Sequence, residues 1–173
     1  AAGAPPVVSA TKGFDETTIQ RIRAILAEIW SVAAPAALSG PSIAPETARG
    51  VPTAVTIASA DPVVAETFQK LFCGDTFRSY TSKDVPGVEL GGALKNVIAI
   101  AAGVCDGLGF GHNAKAALIT RGLAEMTRLG VALGAHPQTF SGLAGVGDLM
   151  VTCMSPPSRN RTLGERLGRG ETL

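Results

Sequence analysis

The chain has 173 residues, of which 46% are hydrophobic and 17% are charged, and its net charge is +1 at pH 7. This length suits one large domain or two small ones. The near-neutral charge argues against nucleic acid or an anionic membrane surface as a partner, because both favour dense basic patches. No apolar run reaches the roughly 18 residues of a membrane helix without glycine or charge, so we expect no membrane insertion.

The cysteines, Cys73, Cys105 and Cys153, are odd in number and widely spaced. Without a C-x-x-C pair, and with only two histidines in the chain, they indicate neither a disulfide framework nor a zinc site. We therefore expect reduced thiols, no metal and a cytoplasmic location. The first residues carry no basic-then-apolar pattern, so no secretory segment is expected.

The first half of the chain alternates predicted strands and helices. Strands are predicted at residues 6–11, 52–58 and 77–81. A helix capped by Asp15 or Thr17 is predicted between the first two, and its apolar stripe comprises Ile19, Ile22, Leu26 and Ile29 or Trp30. Asp61 followed by proline predicts the start of a second helix, which would run to about Phe72. This alternation is typical of a parallel α/β sheet.

After about residue 84 the pattern changes to helices with glycine breaks. Asn113 is predicted to cap a long helix that stops near Gly134 and Pro137. The predicted buried side of this helix comprises Ile119, Leu123, Met126 and Leu133, and a predicted solvated charge lattice comprises Arg121, Glu125 and Arg128. We therefore predict an α/β part at residues 1–84 and an all-helical part at residues 85–173.

Lys95 lies in the middle of a predicted buried helix. Its neighbours three and four residues away are Gly91, Gly92, Ile98 and Ala99, so no carboxylate is placed to form a local ion pair. Each glycine inside a helix costs about 1 kcal/mol relative to alanine, which predicts that another group approaches the backbone there. The alternative is a lysine whose stem follows the helix and whose ammonium reaches solvent.

Three further segments offer polar groups for chemistry. Lys12 follows a predicted strand, where open α/β sheets bind their ligands, although a surface turn lysine is the alternative. The turn that contains Gly40 and Ser42 offers a backbone amide and a hydroxyl. Asp148 precedes an apolar run, so a buried carboxylate paired with a cation such as Lys95 is one interpretation, and a plain helix cap is the other.

Residues 155–161 predict an anion site. Two prolines lead to Ser158, which can cap a helix, and Arg159 and Asn160 lie in its first turn. Backbone amides, the helix dipole and a guanidinium together suit a phosphate. By contrast, the glycines at residues 142–147 are not in the order of a dinucleotide fingerprint, and His112 and His136 are interpreted as loop residues.

Short motifs along nearly the whole chain resemble those of the NAD(P)-dependent glycerol-3-phosphate dehydrogenases. These motifs lie at residues 10–13, 39–44, 50–54, 89–96, 116–122, 145–148 and 158–160. The resemblance implies the latter part of a Rossmann-type parallel sheet at residues 1–84, followed by a helical substrate domain at residues 85–173. It also implies reversible reduction of dihydroxyacetone phosphate to sn-glycerol 3-phosphate with NAD or NADP, which supplies glycerol 3-phosphate for phospholipid synthesis.

The resemblance also assigns roles to individual residues. It implies that Lys95 is the catalytic acid/base. It implies that the substrate contacts Lys12, Gly40, Ser42, Lys95, Asp148, Ser158, Arg159 and Asn160, and that the cofactor contacts Lys12, Ala44 and Arg159. An ordinary lysine, with a pKa near 10.4, would be a poor base at neutral pH. Burial and Lys12 are expected to lower the pKa of Lys95, and Asp148 to raise it.

The family's glycine-rich cofactor loop is expected before Ala1, and further helices are expected after Leu173. We therefore expect the chain to be part of a longer enzyme and to be inactive alone. A homodimer is one possible assembly. Two alternatives stay open: a related reductase with a Rossmann domain and a helical domain that acts on another hydroxy acid or sugar, and a non-catalytic helical assembly module.

Overall fold

Four strands form one sheet in the residues that the computed structural model describes, which are 5–30 and 34–172. In chain order and in sheet order they are β1 (Val8–Ser9), β2 (Ala36–Ser39), β3 (Thr53–Ala58) and β4 (Phe77–Ser82). β1 pairs with β2, and β3 with β4, in parallel. β2 and β3 run antiparallel, so the sheet is mixed.

β2 is the main difference from the predicted sheet. The prediction of an all-parallel sheet is wrong at the β2–β3 pair, and β2 was not predicted as a strand. The alanines of this four-residue strand lack the β-branched pattern that signals one. The connection to β3 contains only the five-residue helix α2 (Ala44–Ala48), which is too short to carry the chain back along the sheet for a parallel pairing.

The helix between β1 and β2, α1 (Ile22–Trp30), begins later than predicted. Asp15 caps a turn ahead of it, where its carboxylate accepts from the backbone N–H of Thr18 at 2.8 Å. The predicted apolar stripe is therefore wrong in part. Ile19 lies outside the helix with a φ of 56°, and Ile19, Ile29 and Trp30 are exposed.

The helix between β3 and β4, α3 (Pro62–Phe72), confirms its prediction. The carboxylate of Asp61 accepts a hydrogen bond from the backbone N–H of Val63 at 2.8 Å. Proline at the first helical position loses no hydrogen bond there and already has a helical φ angle. Phe68 packs under the sheet with Ala36 and Ile57.

The second half is helical, as predicted. Its elements are α4 (Val85–Gly107), α5 (Gly111–Ala132), α6 (Pro137–Phe140), a single π-helical turn (Leu143–Gly147), α7 (Asp148–Met154) and α8 (Arg159–Gly168). The predicted cap at Asn113 is wrong, because α5 already begins at Gly111, after a turn with positive φ at Gly109. Leu133 is exposed, contrary to prediction, because α5 ends before it. The lattice of Arg121, Glu125 and Arg128 is exposed and paired, as predicted.

α4 is the central element of the helical half. By length and composition alone it could cross a membrane, but eleven of its residues are buried against other elements. One apolar core joins it to α5, α6 and α7 through residues such as Leu90, Phe140 and Leu149. Another joins it to the sheet through Val88 and Ala58. α4 therefore connects the sheet to α5, α7 and α8.

α4 and α8 are in backbone contact through glycines. Gly103 and Gly107 of α4 face Gly164 and Gly168 of α8, and a methyl group on any of them would overlap backbone atoms of the other helix. Residues four apart lie on one face of a helix, so each helix presents a flat strip to its neighbour. This contact fixes α8, and therefore the polar segment at its first turn, against α4.

We expect Gly164→Ala to lower the free energy of unfolding by about 1–3 kcal/mol, because the added methyl group overpacks a tight backbone contact. The matched control is Gly74→Ala, since a methyl group at Gly74 would have no atom within 4 Å. Urea denaturation of the two variants measures the difference. Equal stability of both variants would show that the two helices can separate without loss.

Candidate active site

Lys95 of α4 is buried, with 6% of its surface exposed. Its ammonium donates to Oδ1 of Asp148 at 2.6 Å and to the hydroxyl of Thr152 at 2.7 Å. The alternative of a lysine that reaches solvent is therefore wrong. α4 carries the side chain inward because its small-residue face lies against α7 and the glycine-rich turn before it.

Asp148 bridges two lysines from distant parts of the chain. It is 1% exposed, and its Oδ2 lies 2.7 Å from the ammonium of Lys12, while Oδ1 binds Lys95. Oδ2 also accepts a hydrogen bond from the hydroxyl of Ser39 at 3.3 Å. A buried carboxylate requires such partners, and the predicted pairing of Asp148 with Lys95 is confirmed.

Lys12 is held in place by the turn after β2. Its ammonium donates to the carbonyl oxygen of Gly40 at 2.9 Å, and the hydroxyl of Ser42 donates to the same oxygen at 3.1 Å. Gly40 has a φ of 143°, and a methyl group there would lie 3.0 Å from the Cα of Val55. Only glycine fits this position without strain, so the turn presents its carbonyl to Lys12.

The glycine pair before Lys95 admits neighbouring groups to the backbone of α4, as predicted. A methyl group on Gly91 would overlap the carbonyl oxygen of Ala144, and one on Gly92 would lie 2.8 Å from the hydroxyl oxygen of Ser39. Ala144 belongs to the π-helical turn that leads directly into Asp148. Single π turns inside helices occur frequently at functional sites. This one ends at Asp148, whose side chain contacts Lys95 of α4.

The predicted cap of α8 by Ser158 is confirmed. The hydroxyl of Ser158 accepts from the backbone N–H of Arg161 at 3.3 Å and so caps the helix. Arg159 is exposed, and among the described residues no carboxylate pairs with it. Arg161 instead binds Asp106 at 2.7 Å and belongs to the contact between α8 and α4. Arg159 is therefore available to an anion, whereas Arg161 is structural.

One cavity of about 650 Å³ brings these groups together. The predicted site residues that line it are Lys12, Ser42, Ala44, Lys95, Asp148, Ser158, Arg159 and Asn160. Gly40 does not line the cavity, and its carbonyl oxygen accepts a hydrogen bond from Lys12, which does. Neither His112 nor His136 lines the cavity. The cavity wall carries a net positive charge, because it contains three cationic side chains and one carboxylate. The cations are Lys12, Lys95 and Arg159, and the carboxylate is Asp148.

The prediction missed several residues of the cavity wall. Thr152 lies four residues after Asp148, and this helical spacing was the available signal for its role beside Lys95. Asn96 follows Lys95 directly. An apolar wall comprises Ile43, Pro45, Val151 and Leu163. Apolar residues around a few polar groups are the usual composition of a small-molecule pocket.

The electrostatics of the site favour proton transfer by Lys95. Burial lowers the pKa of its ammonium below the usual value, with a further lowering by Lys12, and the attraction of Asp148 offsets part of this. The predicted direction of each influence is therefore confirmed. Burial also raises the pKa of the neighbouring Cys153 thiol to about 11, so that this group stays neutral at neutral pH. A lysine with a lowered pKa can exchange a proton with a bound oxygen.

Comparisons with known proteins agree on one family. The family model described as NAD-dependent glycerol-3-phosphate dehydrogenase C-terminus matches residues 84–173, and the corresponding N-terminus model matches residues 2–65. A glycerol-3-phosphate dehydrogenase [NAD(P)+] of Citrifermentans bemidjiense is 58% identical over 170 residues, covering 96% of this chain and 51% of the relative. The enzyme of the same name from Thioalkalivibrio sulfidiphilus is 58% identical over 168 residues, with coverage of 96% and 50%.

Solved structures give the same result. The crystal structure of glycerol-3-phosphate dehydrogenase from Coxiella burnetii superposes with a TM-score of 0.92 at 43% identity, covering 96% of this chain and 51% of that one. The structure of DsGPDH of Dunaliella salina superposes with a TM-score of 0.88 at 32% identity, covering 95% of this chain and 31% of that one. The chain spans about half the length of the curated relatives it matches.

Proposed function

We propose a function from the premise that this chain belongs to the NAD-dependent glycerol-3-phosphate dehydrogenase family. The 650 Å³ cavity is the site at which dihydroxyacetone phosphate and sn-glycerol 3-phosphate are interconverted, with NAD or NADP as the hydride carrier. The observation that supports this is the convergence of Lys95, Lys12, Asp148 and Arg159 on one cavity. The sequence separates these groups by up to 147 positions.

Lys95 is the proposed acid/base. Its buried ammonium gives a proton to the carbonyl oxygen of the substrate as that carbon is reduced, and its neutral amine takes the proton back in the reverse direction. Asp148 and the hydroxyl of Thr152 hold Nζ in place at 2.6 and 2.7 Å. Lys12 contributes a second positive charge beside the same carboxylate. This charge stabilises the negative charge that develops on the carbonyl oxygen of the substrate during reduction.

The first turn of α8 is the proposed phosphate site. Its backbone N–H groups and helix dipole favour an anion, and Arg159 adds a guanidinium that can bind two phosphate oxygens. Ser158 and Asn160 contribute polar groups to the same end of the cavity. Ser42 is also proposed to contact the substrate, since it lines the cavity, and Gly40 is proposed to do so beside it, where its carbonyl oxygen accepts from Lys12 and Ser42.

The cofactor is proposed to lie along Lys12, Ala44 and Arg159. The wall beside Lys12 fits a nicotinamide ring, because Ile43, Ala44 and Pro45 form an apolar surface there. The nicotinamide supplies or accepts the hydride when bound, and an apolar wall keeps water from the reacting carbon. The positive side chains of Lys12 and Arg159 in the cavity wall suit the negative phosphates of the cofactor and the substrate.

The wider setting is proposed on the same premise. Residues 1–84 form the latter part of the dinucleotide-binding domain, and residues 85–173 form the substrate domain. The enzyme acts in the cytoplasm, binds no nucleic acid or metal, and supplies glycerol 3-phosphate for phospholipid synthesis. A homodimer is the proposed assembly.

Turnover is measured in a full-length enzyme, meaning a polypeptide of the relatives' length that contains this chain. Consumption of NADH or NADPH with dihydroxyacetone phosphate is the expected result. Turnover of an unphosphorylated hydroxy acid or sugar, but not of dihydroxyacetone phosphate, would indicate the related reductase instead. Self-association without turnover or binding of sn-glycerol 3-phosphate would indicate the assembly module.

We expect Arg159→Gln to weaken binding of sn-glycerol 3-phosphate about 10- to 100-fold, because a charge-assisted hydrogen bond to phosphate is lost. The matched control is Arg78→Gln, which removes an exposed arginine of β4 that lies over the ring of Tyr80. Isothermal titration calorimetry of both variants in the full-length enzyme measures the effect. Similar affinities for the two variants would exclude Arg159 from the phosphate site.

A further inference from the structure

Ser39 is a buried hydroxyl that reaches the site only through Asp148. It is the last residue of β2 and is 2% exposed. Its hydroxyl donates to Oδ2 of Asp148 at 3.3 Å, and it does not belong to the residues that line the cavity. Ser39 therefore cannot contact a ligand in the cavity, but it can act on the carboxylate that holds Lys95.

The two oxygens of Asp148 have different partners. Oδ1 binds Lys95, whereas Oδ2 binds both Lys12 and Ser39. The side chain of Lys12 is 21% exposed and lines the cavity, so an anionic ligand competes with Asp148 for its ammonium. Ser39 has no such competitor, because its hydroxyl lies behind the wall.

We propose that Ser39 is a positioning residue, whose hydroxyl holds Oδ2 of Asp148 so that Oδ1 stays on Lys95 when Lys12 turns toward a bound anion. This inference rests on the proposed function of the cavity, since it concerns the acid/base group of that reaction. It assigns to β2 a direct part in the orientation of a side chain on α7.

The surroundings of Ser39 are built for this contact. Ser39 pairs with Thr56 in the β2–β3 ladder, so its backbone is fixed by the sheet. A methyl group on Gly92 would lie 2.8 Å from the hydroxyl oxygen of Ser39 and 3.2 Å from Cγ of Lys12. Glycine at this position of α4 therefore leaves the space in which the hydroxyl and Lys12 meet Asp148.

Loss of the Ser39 hydroxyl has a definite consequence for Lys95. The titratable groups that face Lys95 are Asp148 and Cys153 from α7 and Lys12 from the segment after β1. Cys153 stays neutral, and Asp148 is the group that raises the pKa of Lys95. A carboxylate free to follow Lys12 toward the ligand would leave Lys95 with a still lower pKa.

The test compares Ser39→Ala with Ser79→Ala in the full-length enzyme. Ser79 of β4 is the matched control, because its hydroxyl is also buried but has no hydrogen-bond partner among the described residues. The titration midpoint of Lys95 is measured by NMR of lysine labelled with ¹³C at Cε, with sn-glycerol 3-phosphate bound. The pH profile of kcat is recorded in parallel.

We expect Ser39→Ala to lower the titration midpoint of Lys95 by about half a pH unit and to lower kcat for reduction of dihydroxyacetone phosphate by about three- to tenfold, with little change in KM, as the loss of one hydrogen bond to a charged group implies. Ser79→Ala should change neither value. An unchanged Lys95 midpoint in Ser39→Ala, or an equal shift in Ser79→Ala, would overturn the proposal. An enzyme that binds the ligand but does not turn it over would instead contradict the proposed function, and the NMR midpoint would still test Ser39.

Discussion

Replacing Lys95 by methionine is expected to lower turnover in the full-length enzyme by about 10²–10⁴-fold, the usual contribution of a positioned acid/base. Methionine fills the space of the lysine stem but cannot transfer a proton. Lys95 is 6% exposed and its ammonium is held by Asp148 and Thr152, so the variant loses the group that is positioned for the proton transfer. Initial rates with dihydroxyacetone phosphate measure the loss.

One further variant separates proton transfer from charge, and another serves as a control. Lys95→Arg keeps the positive charge but cannot release its proton near neutral pH, so its turnover should also be low. Lys70→Met removes an exposed lysine of α3 and should leave turnover unchanged. Near-normal activity of Lys95→Met would refute the acid/base role, and recovery in Lys95→Arg would reduce that role to electrostatic stabilisation.

The pH dependence of the two reaction directions should be opposite. Reduction requires the protonated ammonium of Lys95, so its rate should fall as the pH rises through the pKa of this group. Oxidation requires the neutral amine, so its rate should rise over the same range. Because burial lowers the pKa of Lys95, both changes should occur below the usual lysine pKa near 10.4. Rates in both directions from pH 7 to pH 10 would show this.

Asp148→Ala is expected to lower the free energy of unfolding by about 3–5 kcal/mol, the usual effect of removing one partner from a buried ion pair. The loss should be large because Asp148 is 1% exposed and neutralises two ammonium groups. Without it, Lys12 and Lys95 would repel each other in a poorly hydrated space. Urea denaturation at pH 7 measures the change.

The same variant has a predictable response to pH. Loss of Asp148 removes the influence that raises the pKa of Lys95, so this lysine should lose its proton more easily in the folded state than in the unfolded state. The free energy of unfolding of Asp148→Ala should therefore rise with pH up to the pKa of lysine in the unfolded state. The loss of stability relative to the unsubstituted protein should be smaller at pH 10 than at pH 7. The control is Asp61→Ala, which removes an N-cap of α3 and should cost about 1 kcal/mol at both pH values. An equal deficit of Asp148→Ala at pH 7 and pH 10 would contradict the electrostatic explanation.

The parts of the fold that sequence could predict are those with a local cause. Asp61 and Pro62 specify a helix start by themselves, and α3 begins there. β2 could not be predicted in this way, because its alanines are stabilised by neighbours in the sheet and not by their own propensity. Trp30 was predicted on the apolar face of a helix but is exposed. An amphipathic pattern predicts an apolar face, but it does not specify which element covers that face.

The same distinction applies to the site. The pairing of Asp148 with Lys95 was predictable, because a carboxylate that is buried beside an apolar run requires a cation. Thr152 had a weaker local signal in its helical spacing from Asp148. The contact of Ser39 with Asp148 had no local signal, since a serine at the end of a strand is common and its partner lies 109 positions away. Contacts of this kind depend on the tertiary fold.

The glycine contact between α4 and α8 also bears on substrate size. The proposed proton donor, Lys95, and the residue that seats the first turn of α8, Gly103, lie on one helix eight residues apart, which is about 12 Å along its axis. Because a helix has a fixed rise per residue and α8 packs directly on α4, the distance between the reacting carbonyl and the phosphate is set by α4 and its contact with α8. We therefore expect the enzyme to discriminate among phosphorylated ketones by chain length, because α4 fixes the distance between the proton donor and the phosphate site.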